Sequence, residues 1–429
     1  MKNEILDVIV VGAGHAGLSA SYFLKQKGMK HLVLERGTIG ESWRTQRWNS
    51  FVMNTGYACN QLPGNEYQPM TSEFVTATAF ADALHAYANR FQLPVKEQAT
   101  VVAVEKMPGQ SLFTVKVSEK GEMNTYTARQ VLISSGSQNT KKAPAFAYKL
   151  PASLLQLHAS EYRHANQLPE GAVLVVGSAQ SGCQVAADIA ASGKKVWLST
   201  SMVGRVPRRY RGKDIMDWLF TIRFFDVKRS EVTDPHIIHI KAPQLTGAGG
   251  GNQTISLQWL SKQGIGIVGK TNDANDKDIF FQPDAATHVQ FADGFSAMVK
   301  NKIDDFIAAN DLQAPAPEED LADMPDNEAS CISPVSSLNI KAHNITAIIW
   351  TTGFGADFSF IRMPVTDNEG KPIHQEGASP IEGLYFLGLP WLRTMKSALI
   401  NGTREDAAFI VDRLYTYAQQ YDVNPVQQL

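Results

Sequence analysis

The stretch Ile5-Leu6-Asp7-Val8-Ile9-Val10-Val11-Gly12-Ala13-Gly14-His15-Ala16-Gly17 decides the fold. Its first seven residues are largely β-branched and apolar, the mark of a strand covered on both faces. Its last six form a GxGxxG turn. Gly12 allows the tight turn, Gly14 lets backbone approach a pyrophosphate, and Gly17 lets the next helix lie close on the strand. That helix offers unpaired N–H groups and a positive dipole end to an anion. A lone GxGxxG says little. Here Leu18 to Gly28 has helical periodicity and stops at a glycine, and His31 to Glu35 reads as the next strand. Glu35 stands at about the 20-residue spacing where a carboxylate accepts hydrogen bonds from both ribose hydroxyls. It would repel a 2′-phosphate, so this unit is expected to hold FAD or NAD and not NADPH.

The pattern then repeats. Ala172 to Val176 is a second apolar strand, Gly177-Ser178-Ala179-Gln180-Ser181-Gly182 a second turn, Cys183 to Gly193 a helix, and Lys195 to Thr200 a strand. Ala179 replaces the middle glycine and adds one methyl where a pyrophosphate would sit. The position matching Glu35 is Thr200, so the acid is absent. Ser199, Thr200, Ser201, Arg205, Arg208, Arg209 and Arg211 follow, and hydroxyls with guanidinium groups suit a 2′-phosphate. Two such units predict an α/β protein with two Rossmann-like dinucleotide-binding domains, the second inserted into the first. The expected boundaries are 1–150 and 335–429 for the FAD-binding domain and 151–334 for the NADPH-binding domain.

Between and beyond these units the reading is coarser. Val75 to Phe91 reads as a helix, Val95 to Val117 as strands around Pro108-Gly109, and Gln130 to Ser135 as a strand before Gly136. Gln313 to Ser330 reads as a solvated connection, Ile345 to Thr352 as an apolar strand, Pro380 to Leu389 as a turn and strand, and Thr403 to Tyr417 as a helix. Gly264-Ile265-Gly266-Ile267-Val268-Gly269 fits GxGxxG literally, but its β-branched interior reads as a strand. Gly247 to Gly251 reads as a turn and not a phosphate cradle. Asp217 to Phe225 reads first as core and second as a substrate wall.

The composition narrows the function classes. The chain has 429 residues, with 40 Lys and Arg against 42 Asp and Glu, a net charge of −2. No large field pulls it toward nucleic acid or anionic lipid. No apolar run approaches the roughly 20 residues of a membrane helix. With a strand this early in the sequence, no secretory leader is expected. Cys59, Cys183 and Cys331 form no CxxC pair and no zinc spacing, so reduced thiols, no metal and a cytoplasmic location are expected.

The chain resembles the class B flavin-dependent monooxygenases, a family that includes the flavin-containing monooxygenases, the plant auxin-forming enzymes and bacterial flavoproteins. The resemblance rests on both glycine turns, Gly40 to Arg44 with Arg47-Trp48, His158 with Tyr162, Thr351-Thr352-Gly353 and Gly383 to Pro390. It implies that NADPH reduces FAD, that oxygen adds to the flavin as a C4a-hydroperoxide, and that a small nucleophilic amine or sulfide, or a ketone, is oxygenated. It places a supporting amide near the flavin at Asn54, whose bland alternative is a loop amide capping local backbone. The expected FAD contacts are Gly12, Gly14, Gly17, Glu35, Arg36, Trp43, Arg44, Thr55, Val102 and Gly136. The expected NADPH contacts are Gly177, Gln180, Ser181, Gly182, Ser199, Thr200, Arg208 and Arg209. Electron delivery to an acceptor other than oxygen, or a flavin-binding sensor without turnover, stays open, as does a homodimer. His158, Ser160 and Tyr162 read as packing at the domain junction.

Overall fold

The computed structural model describes residues 4–65, 74–239, 242–248 and 253–423. Strand β1 (Ile5–Val11) is buried between parallel neighbours β2 (His31–Leu34) and β6 (Glu122–Ile133), which explains its unbroken apolar run. Strands β3 (Val95–Lys96), β4 (Ala99–Lys106) and β5 (Phe113–Glu119) complete the order β3-β2-β1-β6-β5-β4. Helices α1 (His15–Gln26), α2 (Glu41–Thr45) and α3 (Ala77–Arg90) accompany it. Strands β4 to β6 are an antiparallel meander that returns the chain to the centre of the sheet.

The outgoing chain passes through β7 (Thr140–Lys141) into a second sheet built on the same plan. Its strands β8 (Leu155–His158), β9 (Ala172–Val176), β10 (Val196–Ser199), β13 (Gly266–Val268) and β17 (Ile345–Trp350) take the order β13-β10-β9-β17-β8. Helix α4 (Gln180–Ala191) follows the second turn as α1 follows the first. A small hairpin, β11 (Arg209–Tyr210) with β12 (Lys213–Asp214), leads into α5 (Ile215–Thr221), and α6 (Leu257–Lys262) precedes β13. A second antiparallel set, β14 (Thr271–Ala274), β15 (Asp278–Phe281) and β16 (Ser337–Asn339), precedes β17, with the long helix α7 (Ala285–Ala309) inserted. The chain returns through β18 (Phe354–Gly355), which pairs antiparallel with β7. Strand β19 (Leu384–Phe386) then joins β6, and α8 (Ile400–Val423) packs on α1.

Strand β17 lies beyond the expected boundary at residue 334 and pairs with both β8 and β9 of the second sheet. The apolar run of β17 requires a parallel neighbour on each side, and only the second sheet supplies them. Gly266–Val268 is a strand, as its β-branched residues imply. Gly247 is a close approach: a Cβ there would lie 2.0 Å from the Met53 carbonyl oxygen. Gly249 to Gly251 fall outside the described residues. In the aromatic segment after Asp217, Trp218 and Leu219 are buried on α5, with Phe220, Phe224 and Phe225 packed part-buried against the same core.

Candidate functional site

The first glycine turn is shaped to leave room for a ligand at one glycine and none at the others. Gly12 has φ +104°, and a Cβ on it would meet the Ser134 carbonyl oxygen at 2.7 Å. A Cβ on Gly17 would lie 1.9 Å from the Gly12 oxygen, so this glycine seats α1 on the turn. A Cβ on Gly14 meets nothing within 4 Å, nor does one on Gly136 at the end of the neighbouring strand β6. Open space above an N-terminal helix turn is what a diphosphate needs.

Glu35 reaches back into this turn. Its Oε2 accepts the Ala13 N–H at 2.7 Å and its Oε1 the Gly37 N–H at 3.0 Å. Burial raises its pKa, and the two N–H donors hold it down. Burial also lowers His15 to about 4, so the turn carries a neutral imidazole at neutral pH. Val102 lies at the register shift between Val101 and Ala103 in the β4–β5 pairing. Trp43 packs against Phe80, with ring centroids 5.1 Å apart. Arg44 pairs with the exposed Asp82 of α3. Arg36 is exposed beside Glu35. Thr55 Oγ1 donates to Asn60 Oδ1 at 2.6 Å within its own loop.

Arg47, in the Arg47-Trp48 pair that carries part of the resemblance, stands outside the expected FAD contacts. Its guanidinium lies 4.9 Å from the Trp43 ring and 5.6 Å from the Phe51 ring. Burial pushes its pKa down to about 10, which still leaves it charged at neutral pH. No carboxylate pairs with it among the described residues, so it is a cation available to a cofactor.

The second turn copies the first. Ser134 Oγ donates to the oxygens of Val11 at 2.9 Å and Gly12 at 3.1 Å. Thr351 Oγ1 donates to those of Val176 at 2.7 Å and Gly177 at 2.9 Å. Gly177 has φ +109°, and a Cβ on Gly182 would lie 1.8 Å from the Gly177 oxygen. Gln180 and Ser181 open α4 directly behind this turn.

The two units meet at Asn54. Its Nδ2 donates to Gln180 Oε1 at 3.2 Å, and Gln184 Nε2 donates to its Oδ1 at 2.9 Å. The bland expectation for Asn54, a cap on local backbone, is therefore replaced by side-chain bonds across the unit boundary. Other bonds cross nearby. The Asn49 N–H donates to the Arg163 carbonyl at 2.8 Å, and Asp188 accepts from both Ser50 Oγ and Tyr162 OH. His158 bonds Ser160 Oγ and the Gly353 carbonyl, both at 2.9 Å, which is packing at the junction.

The residues proposed for a 2′-phosphate are mostly committed elsewhere. Ser199 Oγ donates to the Gly269 carbonyl at 2.9 Å and accepts from Thr271. Thr200 Oγ1 bonds the Val268 carbonyl and His288. Arg205 pairs with Asp293 and Asp323. Arg208 is fully buried, its Nη2 on both oxygens of Asp214 and its Nη1 on the carbonyls of Asn54 and Thr246. Both of its terminal nitrogens are therefore taken up by protein groups. Arg209 sits in the β11–β12 hairpin, its Nη2 on the Gly212 carbonyl at 3.0 Å.

Comparison with known proteins agrees with this architecture. Residues 9–219 match the family model of the pyridine nucleotide-disulphide oxidoreductases. An uncharacterized CzcO-like oxidoreductase of Geobacillus kaustophilus is 30% identical over 417 residues, spanning 96% of this chain and 99% of its own. The solved flavin-containing monooxygenase of Stenotrophomonas maltophilia superposes with a TM-score of 0.64 at 17% identity, covering 97% of this chain and 100% of that one. An oxidized steroid monooxygenase bound to NADP superposes with a TM-score of 0.57 at 15% identity, covering 98% and 86%. With a relative this similar from end to end, the chain belongs to the CzcO-like oxidoreductases, on the fold of the solved flavin-containing monooxygenases.

Proposed function

We propose that this chain is an FAD- and NADPH-dependent monooxygenase acting with molecular oxygen on a small amine, sulfide or ketone. The observation that carries the reading is the Asn54–Gln180 bond. It brings an amide from the first unit to the first helical residue behind the second unit's glycine turn. Two dinucleotides held at these turns would converge on that amide. The flavin supplies the redox and oxygen chemistry when bound.

The protein's own part is to hold, orient and exclude water. Gly12, Gly14, Gly17, Glu35, Val102, Gly136 and Arg47 would hold FAD. Gly177, Gln180, Ser181 and Gly182 would hold the nicotinamide dinucleotide. NADPH is favoured over NADH by the NADP-bound structural neighbour and by the lack of an acid at Thr200, not by Arg208. A disulfide relay through the chain's own thiols is disfavoured. The three cysteines are unpaired, and burial pushes Cys59 and Cys331 up to about 12, so neither is a thiolate at neutral pH. Among the described residues no cluster could hold a metal ion, and no helix is long and apolar enough to cross a membrane.

The test is NADPH consumption by the FAD-loaded protein across a panel of amines, sulfides and ketones, with and without oxygen, with hydrogen peroxide quantified. Oxygen-dependent consumption yielding oxygenated product supports the proposal. Undiminished consumption without oxygen, in the presence of another electron acceptor, overturns it in favour of a reductase.

A further inference from the structure

We propose that Gln184 is a positioning residue that fixes which way the Asn54 carboxamide faces, and that Gln180 ties this orientation to the nicotinamide site. This inference rests on the proposed role of Asn54 beside the flavin.

One backbone carbonyl sets the direction of the whole chain of amides. A carbonyl oxygen can only accept, so the Leu245 oxygen requires Gln184 to turn its Nε2 toward it, and that bond is present. The same Nε2 carries a second hydrogen, which goes to Asn54 Oδ1 at 2.9 Å. Asn54 must therefore place its oxygen toward Gln184 and its Nδ2 toward Gln180, whose Oε1 accepts at 3.2 Å. One fixed acceptor thus sets three amides in sequence. Reversing Asn54 would set oxygen against oxygen at Gln180 and place hydrogens against hydrogens at Gln184.

The surroundings leave this job to the glutamines. Arg208 Nη1 holds the Asn54 main-chain oxygen at 3.0 Å, which fixes the backbone but not the carboxamide. Gln184 is buried at 9% exposure and lies one helical turn past Gln180 on α4, so both project from the same face. Helix α4 begins at the second glycine turn. A dinucleotide seated there meets Gln180 first, and Gln180 is already bonded to Asn54. The Asn54 Nδ2 keeps its other hydrogen for whatever lies between the two turns. An asparagine without these partners would present donor and acceptor there in turn.

The test is a double-mutant cycle on NADP⁺ affinity, measured by titrating the FAD-loaded protein, with Gln184→Met, Asn54→Ala and the pair. Gln184→Met is expected to weaken NADP⁺ by about fivefold, the worth of roughly one net hydrogen bond. The pair is expected to bind no more weakly than Asn54→Ala alone. Losses that multiply in the pair, or no loss from Gln184→Met, would overturn the proposal. Should Gln184→Met not fold, Gln184→Glu replaces it in the same cycle, because it keeps size and removes the donor. The cycle reads binding and not oxygen transfer. A protein that shows the coupling yet makes no oxygenated product refutes the monooxygenase reading and leaves Gln184 in place. A productive monooxygenase without coupling does the reverse. Absence of NADP⁺ binding in the wild type overturns both.

Discussion

Gly14 and Ala179 hold the same backbone conformation, φ −77° and ψ −176° against φ −72° and ψ −175°, each as the N-cap of the helix behind its glycine turn. Neither angle needs glycine. What separates the two positions is a single methyl group and the space it occupies. Gly14→Ala is therefore expected to fold, with the apoprotein's melting temperature within a degree or two of wild type, and to bind FAD about tenfold more weakly. Ala179→Gly is expected to tighten NADPH. Gly17→Ala is the contrast: its Cβ would fall 1.9 Å from the Gly12 oxygen, so the turn itself must move. Calorimetry of the apoproteins beside FAD titrations separates the three. A Gly14→Ala protein that binds FAD as well as wild type would remove the diphosphate from this turn.

Asn54→Ala removes the amide on which both units converge while leaving the Arg208 bond to its backbone carbonyl. At saturating NADPH its oxidation is expected to continue at a similar rate. The share of electrons ending in hydrogen peroxide should rise, with oxygenated product falling about tenfold. Peroxide assay against product yield, per NADPH consumed, reads this directly. An unchanged ratio would take Asn54 out of the site.

Arg208 tests a different idea from the one its sequence position suggests. Arg208→Ala would strand the buried Asp214 carboxylate and free the Asn54 and Thr246 carbonyls, a loss of about 3–5 kcal/mol for breaking a buried pair. Stability should fall steeply, and NADPH and NADH affinities should fall together. Denaturation and paired cofactor titrations check it. A selective loss of NADPH would restore the 2′-phosphate role.

That contrast shows where sequence was informative. Glycine turns, the strands before them and Glu35 are local features with strict steric or hydrogen-bonding demands, so spacing alone located them. The absent acid at Thr200 was visible by the same count. The destination of Arg208 was not, because nothing in its neighbourhood marks Asp214 as a bidentate partner across a hairpin. Helix α7 escaped because its buried stripe includes Ala285, His288, Ala292 and Ser296, small or polar residues that blur an apolar period. The sheet to which β17 belongs was not legible for a non-local reason: it is an apolar strand like any other until its partners β8 and β9 are known. The Gln184 link was equally hidden, since it depends on the Leu245 carbonyl, far along the chain.

Asp406 on α8 provides a pH-dependent prediction independent of any cofactor. It is 1% exposed, with Arg393 Nη1 at 3.4 Å from its Oδ1. Burial raises its pKa from 3.8 to about 6, with Ser397 and Arg393 opposing. Below about pH 4 the carboxyl is protonated in both folded and unfolded chains and contributes nothing. Between about 4 and 6 the folded chain keeps the proton and the unfolded chain releases it, so stability falls as pH rises. Above 6 the cost is constant, on the order of 2–3 kcal/mol. Asp406→Asn is thus expected to raise the melting temperature at pH 7.5 and to leave it unchanged near pH 4. If the variant melts lower at pH 7.5, attraction to Arg393 outweighs the cost of burying the charge, and the carboxylate is a stabilising partner rather than a burden.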